Sequence, residues 1–260
     1  MFRLFKEKQL YSDEYLIRFN VIAGVLHLVQ AVVMLLLATD AKLPIVTNYL
    51  TLGADQRLEP ASTELFTVSL ALLTTAFLFM SAAAHFIIAT VYKKQYLKDL
   101  KVGVNKARWI EYSLSASTMM VGIALLSGIY DLSSLIMIFA LVAGMNLTGL
   151  VMELWNQTTK QTNWLSYWIG CLLGIVPWVV FVIYVWGAES YGSGSVPTFV
   201  YWIYVSIFVF FNSFAINMYL QYKKVGKWSQ YLYGERAYII LSLVAKSALA
   251  WQVFAGSLRP

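Results

Sequence analysis

Five ionisable side chains stand in stretches of sequence too apolar to carry them: His27, His85, Glu111, Glu153 and Lys246. A charge withdrawn from water inside a membrane-like segment needs a partner or a role. Lys246, in LSLVAKSALAWQVFAGSLRP, is the most informative. At a helical rise it lies about 15 Å or more from either end of its segment, too deep for its side chain to snorkel out. One reading is a buried ion pair with Glu111 that fixes helix packing. The other is chemical, because an amine held out of water is a nucleophile that condenses with an aldehyde to a Schiff base. Ser242, four residues earlier, shares the lysine's helical face. Glu111, Ser115 and Thr118 fall at i, i+4 and i+7 and make a polar face on another helix. Residue types and spacing leave both readings open.

The other three are weighed in the same way. A lone membrane histidine is most simply a packed residue bonded to a neighbouring helix. His27 and His85 at matching depth point instead to a shared wet network. They lack the i, i+4 spacing of a metal pair, and Cys171 is the single cysteine, so no metal site is expected. Glu153, two residues before Trp155, reads as an interfacial carboxylate within reach of water.

The elements that must hold these groups are membrane helices. Of 260 residues, 60% are hydrophobic and only 12% charged, and mean hydropathy is +0.66. That excludes an ordinary soluble globule, a disordered chain, a coiled coil and a disulfide scaffold. Seven segments are long enough to cross a bilayer, at about 17–39, 65–92, 107–129, 133–155, 163–187, 197–221 and 236–256. The expectation is an all-α, single seven-helix transmembrane domain over 1–260. The first apolar run follows a polar, charged opening segment and is full length, so it is expected to be retained. The connection from about Thr39 to Glu64 contains LPIVTNYLTL between Pro44 and Gly53, which reads as a small outer β-hairpin.

The basic excess, net +6, is a topology signal rather than a nucleic-acid patch. One side carries Arg3, Lys6, Lys8 and Arg18, the run from Lys93 to Arg108, Lys160, and then Lys223, Lys224, Lys227 and Arg236. The other has only Lys42, Arg57 and Arg259. The positive-inside rule therefore puts the amino terminus in the cytoplasm and the carboxyl terminus outside. On this orientation His27, His85, Glu111 and Lys246 all fall between the cytoplasmic face and the midplane, which implies one shared polar cavity. Aromatic residues crowd spans five and six, where a box around a flat conjugated ligand competes with plain packing.

The lysine-bearing last span, the glutamate in RWIEYSLSAS, the two histidines and the inverted charge pattern together resemble the heliorhodopsins, over the whole chain. That resemblance implies a light-sensing membrane protein, not an enzyme, with all-trans retinal on Lys246 as a protonated Schiff base and Glu111 as its counterion. His27 and His85 match the two histidines of the family's cytoplasmic-side cavity, and Ser242 the serine near the Schiff base. Met145 and Gly149 match retinal-pocket positions, and Ser115, Trp178 and Phe211 are further pocket candidates by location. The hairpin matches one associated with a homodimer. Beyond retinal and the lipid bilayer, the implied partner is an unidentified cytoplasmic or membrane signalling protein in the cell membrane, and no nucleic acid. Between Lys246 and Asp131 the outer half carries no carboxylate or histidine, so a slow signalling cycle without ion pumping is favoured over transport. The alternatives are a light-gated proton channel or weak transporter and, from another class, a light-independent seven-span solute carrier.

Overall fold

The computed structural model describes residues 10–194 and 196–259. The charges at Arg3, Lys6 and Lys8 lie outside the described residues. Chain order is α1 (Asp13–Leu37), β1 (Lys42–Leu52), β2 (Leu58–Ser69), α2 (Leu70–Ala89), α3 (Lys93–Lys101), α4 (Lys106–Leu126), α5 (Leu132–Trp155), α6 (Leu165–Tyr191), α7 (Thr198–Tyr222) and α8 (Tyr231–Val253). A π-helical turn, Phe254–Leu258, continues α8. All of the helices except α3 are long and apolar enough to cross a membrane. The chain is a multi-pass membrane protein.

Starts of several spans follow from local chemistry. Ser12, Ser69, Asn105 and Asp131 each place a side-chain oxygen on a free backbone N–H of the first turn, satisfying a donor that has no helical partner. Around the bundle, apolar side chains such as Leu36, Val182 and Trp202 face outward, as expected where lipid replaces water. The helix α4, which carries Glu111, is the most enclosed of the seven.

The hairpin is longer than its sequence implies. Its two strands pair from Lys42 opposite Ser69 to Leu52 opposite Leu58, with a bulge between Ile45 and Val46. Residues 65–69, expected as the start of the second span, belong to β2. Leu65 and Phe66 are apolar but exposed on the ribbon, and an apolar run by itself does not distinguish strand from helix. The ribbon is fastened at its base: Val46 N–H donates to the Tyr130 carbonyl at 2.9 Å, and Thr39 N–H to that of Leu258 at 2.8 Å.

At the opposite end lies α3, placed in a loop by the sequence reading. It is a short amphipathic helix that buries Tyr96, Asp99 and Leu100 against the bundle and exposes Lys93, Lys94, Lys98 and Lys101. The last span starts at Tyr231, not near 236. Glu235, outside the expected span, is buried within the helix bundle.

Candidate chromophore site

Lys246 projects from α8 into the bundle with 4% of its side chain exposed, and Glu111 on α4 has 10%. The ammonium has three protons and three oxygen partners: Glu111 Oε1 at 2.7 Å, Ser81 Oγ at 2.6 Å and Ser242 Oγ at 3.1 Å. Ser81, on α2, also donates to Glu111 Oε1 at 2.6 Å. The nitrogen lies 5.1 Å from the centre of the Tyr112 ring. Ser242 falls where the i, i+4 spacing predicts. Ser81 escaped the sequence reading, since a serine in an apolar helix is unremarkable until its partners are known. Ser115 is buried one turn beyond Glu111 on the same helix.

Lys246 also lines a narrow, mostly apolar cavity of about 50 Å³ together with Tyr112, Met119, Met145, Asn146, Ile207, Phe211 and Phe214 among others. Met145, Asn146, Phe211 and Phe214 also line a second cavity of about 120 Å³ that reaches Gly149, Gly174 and Trp178. Met145 and Phe211 thus belong to both cavities, whereas Lys246 lines only the narrower slot and Gly149 and Trp178 only the wider one. Asn146 is an addition that the sequence reading did not pick out. A methyl group on Gly174 would sit 2.6 Å from Met145 Sδ and 3.1 Å from the Phe211 ring. Only glycine lets these walls approach so closely.

The histidines lie beside this slot rather than in it. Their rings stack at 5.7 Å with 13° between planes. His85 Nδ1 is 2.8 Å from Asn20 Oδ1, and Asn20 Nδ2 donates to the Leu16 carbonyl at 2.8 Å. With the amide nitrogen committed to Leu16, the oxygen faces His85, so Nδ1 carries the proton. Both nitrogens of His27 are buried without a hydrogen-bond partner among the described residues.

From His85 a line of hydrogen bonds continues to the basic end. Asn20 Nδ2 also reaches Tyr96 Oη at 3.3 Å, and Tyr96 donates to Glu235 Oε1 at 3.1 Å. Glu235 accepts from Asn105 Nδ2 at 2.7 Å and pairs with Arg108, whose other guanidinium nitrogen pairs with Glu153. Glu153 also accepts the Asn105 backbone N–H at 2.8 Å and the Tyr231 hydroxyl at 3.0 Å. The expected interfacial role of Glu153 is therefore corrected. It is 1% exposed and belongs to a buried ion cluster, because Arg108, counted as a loop charge, turns inward to meet it. Toward the hairpin end the path is not wholly apolar either. Ser206 and Gln252 bond at 3.0 Å, and the Ser127 and Tyr204 hydroxyls bond to each other.

A sequence profile of the heliorhodopsins matches residues 16–258. This chain belongs to the heliorhodopsin family. Retinal on a lysine is the chromophore of these proteins, and Lys246 is the one buried lysine among the described residues. Among solved structures, a light-driven proton pump from Leptosphaeria maculans superposes with a TM-score of 0.62 at 16% identity, covering 95% of this chain and 97% of that one. Cyanorhodopsin from the cyanobacterium Tolypothrix gives 0.57 at 15%, covering 93% and 90%. At such identity the likeness is one of fold, the seven-helix rhodopsin bundle. No curated protein matches the sequence. The residues present fit a flat apolar aldehyde: a buried amine lining an aromatic slot, with a carboxylate beside it.

Proposed function

We propose that this heliorhodopsin is a light sensor whose all-trans retinal is carried on Lys246, with Glu111 as counterion. The observation that carries the reading is the buried Lys246–Glu111 pair, with its lysine lining an aromatic slot. Joined to the amine as a protonated Schiff base, retinal supplies light absorption and a light-driven change of shape. The protein's own groups do the rest. Glu111 holds the positive charge on the nitrogen, which low dielectric would otherwise expel as a proton. Ser81 and Ser242 bond the polar side, and Met145, Trp178 and Phe211 confine the apolar side. Displacing the nitrogen from Glu111 frees the Ser81 and Ser242 hydroxyls to re-pair. His27 and His85 offer the next polar atoms toward the basic end, and His85 hands the change on through Asn20 and Tyr96 to the Arg108 cluster.

Signalling rather than pumping is supported by the hairpin half of the bundle, where serine, tyrosine and glutamine groups occur without a buried carboxylate or histidine among the described residues. The charge pattern supports a cytoplasmic amino terminus in the cell membrane, with the α3 face offered to an unidentified signalling partner. Leu50, Leu52, Leu58 and Leu65, all exposed on the hairpin, support a homodimer through that ribbon. The second reading, a light-gated proton channel, draws on the hydrogen-bonded line from His85 to Glu153. A weak transporter would use the same line, whereas a solute carrier would need neither retinal nor light.

Adding all-trans retinal to the expressed protein should give a visible band that is absent in Lys246→Ala. A colourless unmodified protein would refute the pigment reading and favour the carrier. Illuminated liposomes should show no sustained pH change, and a reproducible photocurrent would put the channel first.

A further inference from the structure

The basic end holds a second hollow that light capture does not use. It lies between the α5–α6 connection, the end of α7 and the start of α8, and encloses about 300 Å³, the lower end of the range for small-ligand pockets. Gln157, Thr159, Gln221 and Ser229 bring amide and hydroxyl groups to its lining, and Lys160 and Lys224 bring the only charges. No carboxylate lines it, and neither lysine pairs with one among the described residues. The neighbouring Lys223 is engaged elsewhere, 5.3 Å from the centre of the Trp164 ring. Lys224 is held at φ 53°, a left-handed conformation that is strained for a side-chain-bearing residue and is normally left to glycine at a helix end. Tyr231 also lines the hollow. Its hydroxyl donates to Glu153 and accepts from Arg108 at 3.4 Å, so the hollow abuts the buried ion cluster.

We propose that this hollow binds a small ligand bearing a phosphate or carboxylate group, seated on Lys160 and Lys224, and that Tyr231 couples its occupancy to the chromophore. Two ammonium groups without counterions, backed by neutral donors, match an oxyanion, whereas a cation would be repelled and a neutral ligand would leave both charges unmet. A soluble phosphate ester and an anionic lipid headgroup share this chemistry. The coupling rests on the light-sensor reading; the binding does not.

The full-length protein in nanodiscs of neutral phosphatidylcholine is titrated in the dark with inorganic phosphate and with succinate, by calorimetry. In a parallel arm the discs contain phosphatidic acid, and recovery after a flash is timed. Saturable heat from either soluble probe is expected, weakened at least tenfold in the Lys160→Gln/Lys224→Gln double variant with its visible band unchanged. A recovery change of twofold or more seen only with phosphatidic acid, and lost in the double variant, assigns a lipid phosphate instead. Neither response, or responses indifferent to both lysines, overturns the site. Tyr231→Phe should keep binding but lose the effect of ligand on recovery; an undiminished effect overturns the coupling. Without any pigment, calorimetry on the same discs still decides whether the hollow binds an anion.

Discussion

A buried ion triad and a buried ion pair divide the polar interior, and they are built for opposite purposes. At the basic end, Arg108 is flanked by Glu153 and Glu235, its planar fork engages both, and Asn105, Tyr96 and Tyr231 supply further hydrogen bonds. Its guanidinium also packs 4.0 Å from the centre of the Tyr238 ring. A guanidinium does not give up its proton in a protein, so this cluster has one charge state for its cation and little room to rearrange. Lys246 has one carboxylate, two small hydroxyls that can rotate, and a cavity beside it. An amine can lose its proton and become a nucleophile. The triad holds helices together, whereas the pair is arranged to change.

That contrast should show first in stability. Arg108→Met leaves two carboxylates buried beside each other and should cost about 3–5 kcal/mol, seen as early thermal unfolding in nanodiscs; adding Glu153→Gln and Glu235→Gln should recover most of it. If Arg108→Met unfolds no earlier than Glu111→Gln, the division of labour is wrong. Gly174→Ala should cost about 1–3 kcal/mol by overpacking against Met145 and Phe211 and reduce the pigment formed with added retinal, which a spectral titration measures. In Glu111→Gln the fold should survive while the visible band moves to longer wavelength, or the nitrogen deprotonates at neutral pH; an unchanged spectrum removes Glu111 as counterion. Tyr96→Phe deletes both hydrogen bonds of the bridging hydroxyl, from Asn20 and to Glu235, about 1 kcal/mol each, and should alter recovery after a flash without moving the dark band.

The smallest effect belongs to the hairpin's anchor. Asp131 sits below the usual carboxylate value because the Ser134 backbone N–H bonds its ionised form. Its folded value is depressed, so its contribution is present above its ordinary pKa of 3.8 and fades as pH falls through the lower folded value. Thermal stability scanned from neutral pH down to about pH 3 should show a small loss near the bottom that Asp131→Asn lacks, since asparagine caps a helix without titrating.

The spans were legible because roughly 20 consecutive apolar residues have few uses outside a bilayer. Lys246 and Glu111 were legible because an ionisable residue deep in such a run is conspicuous. Glu153, Arg108 and Glu235 were not, because near a span's end the same residue types serve equally as solvated boundary charges or as an inward cluster, and only the position of a neighbouring helix decides. The strand at residues 65–69 was hidden by its apolar content, and α3 by its lysines, which read as loop charge until Tyr96 and Leu100 are seen to be buried. Ser81 and Asn20 carry no sequence signal of their own.

The bond from Thr39 N–H to the carbonyl of Leu258 ties the ribbon's base to the final turn of the lysine's own helix. A torque applied halfway along that helix thus has a lever at its far tip, where it reaches the leucine-studded tape of the ribbon.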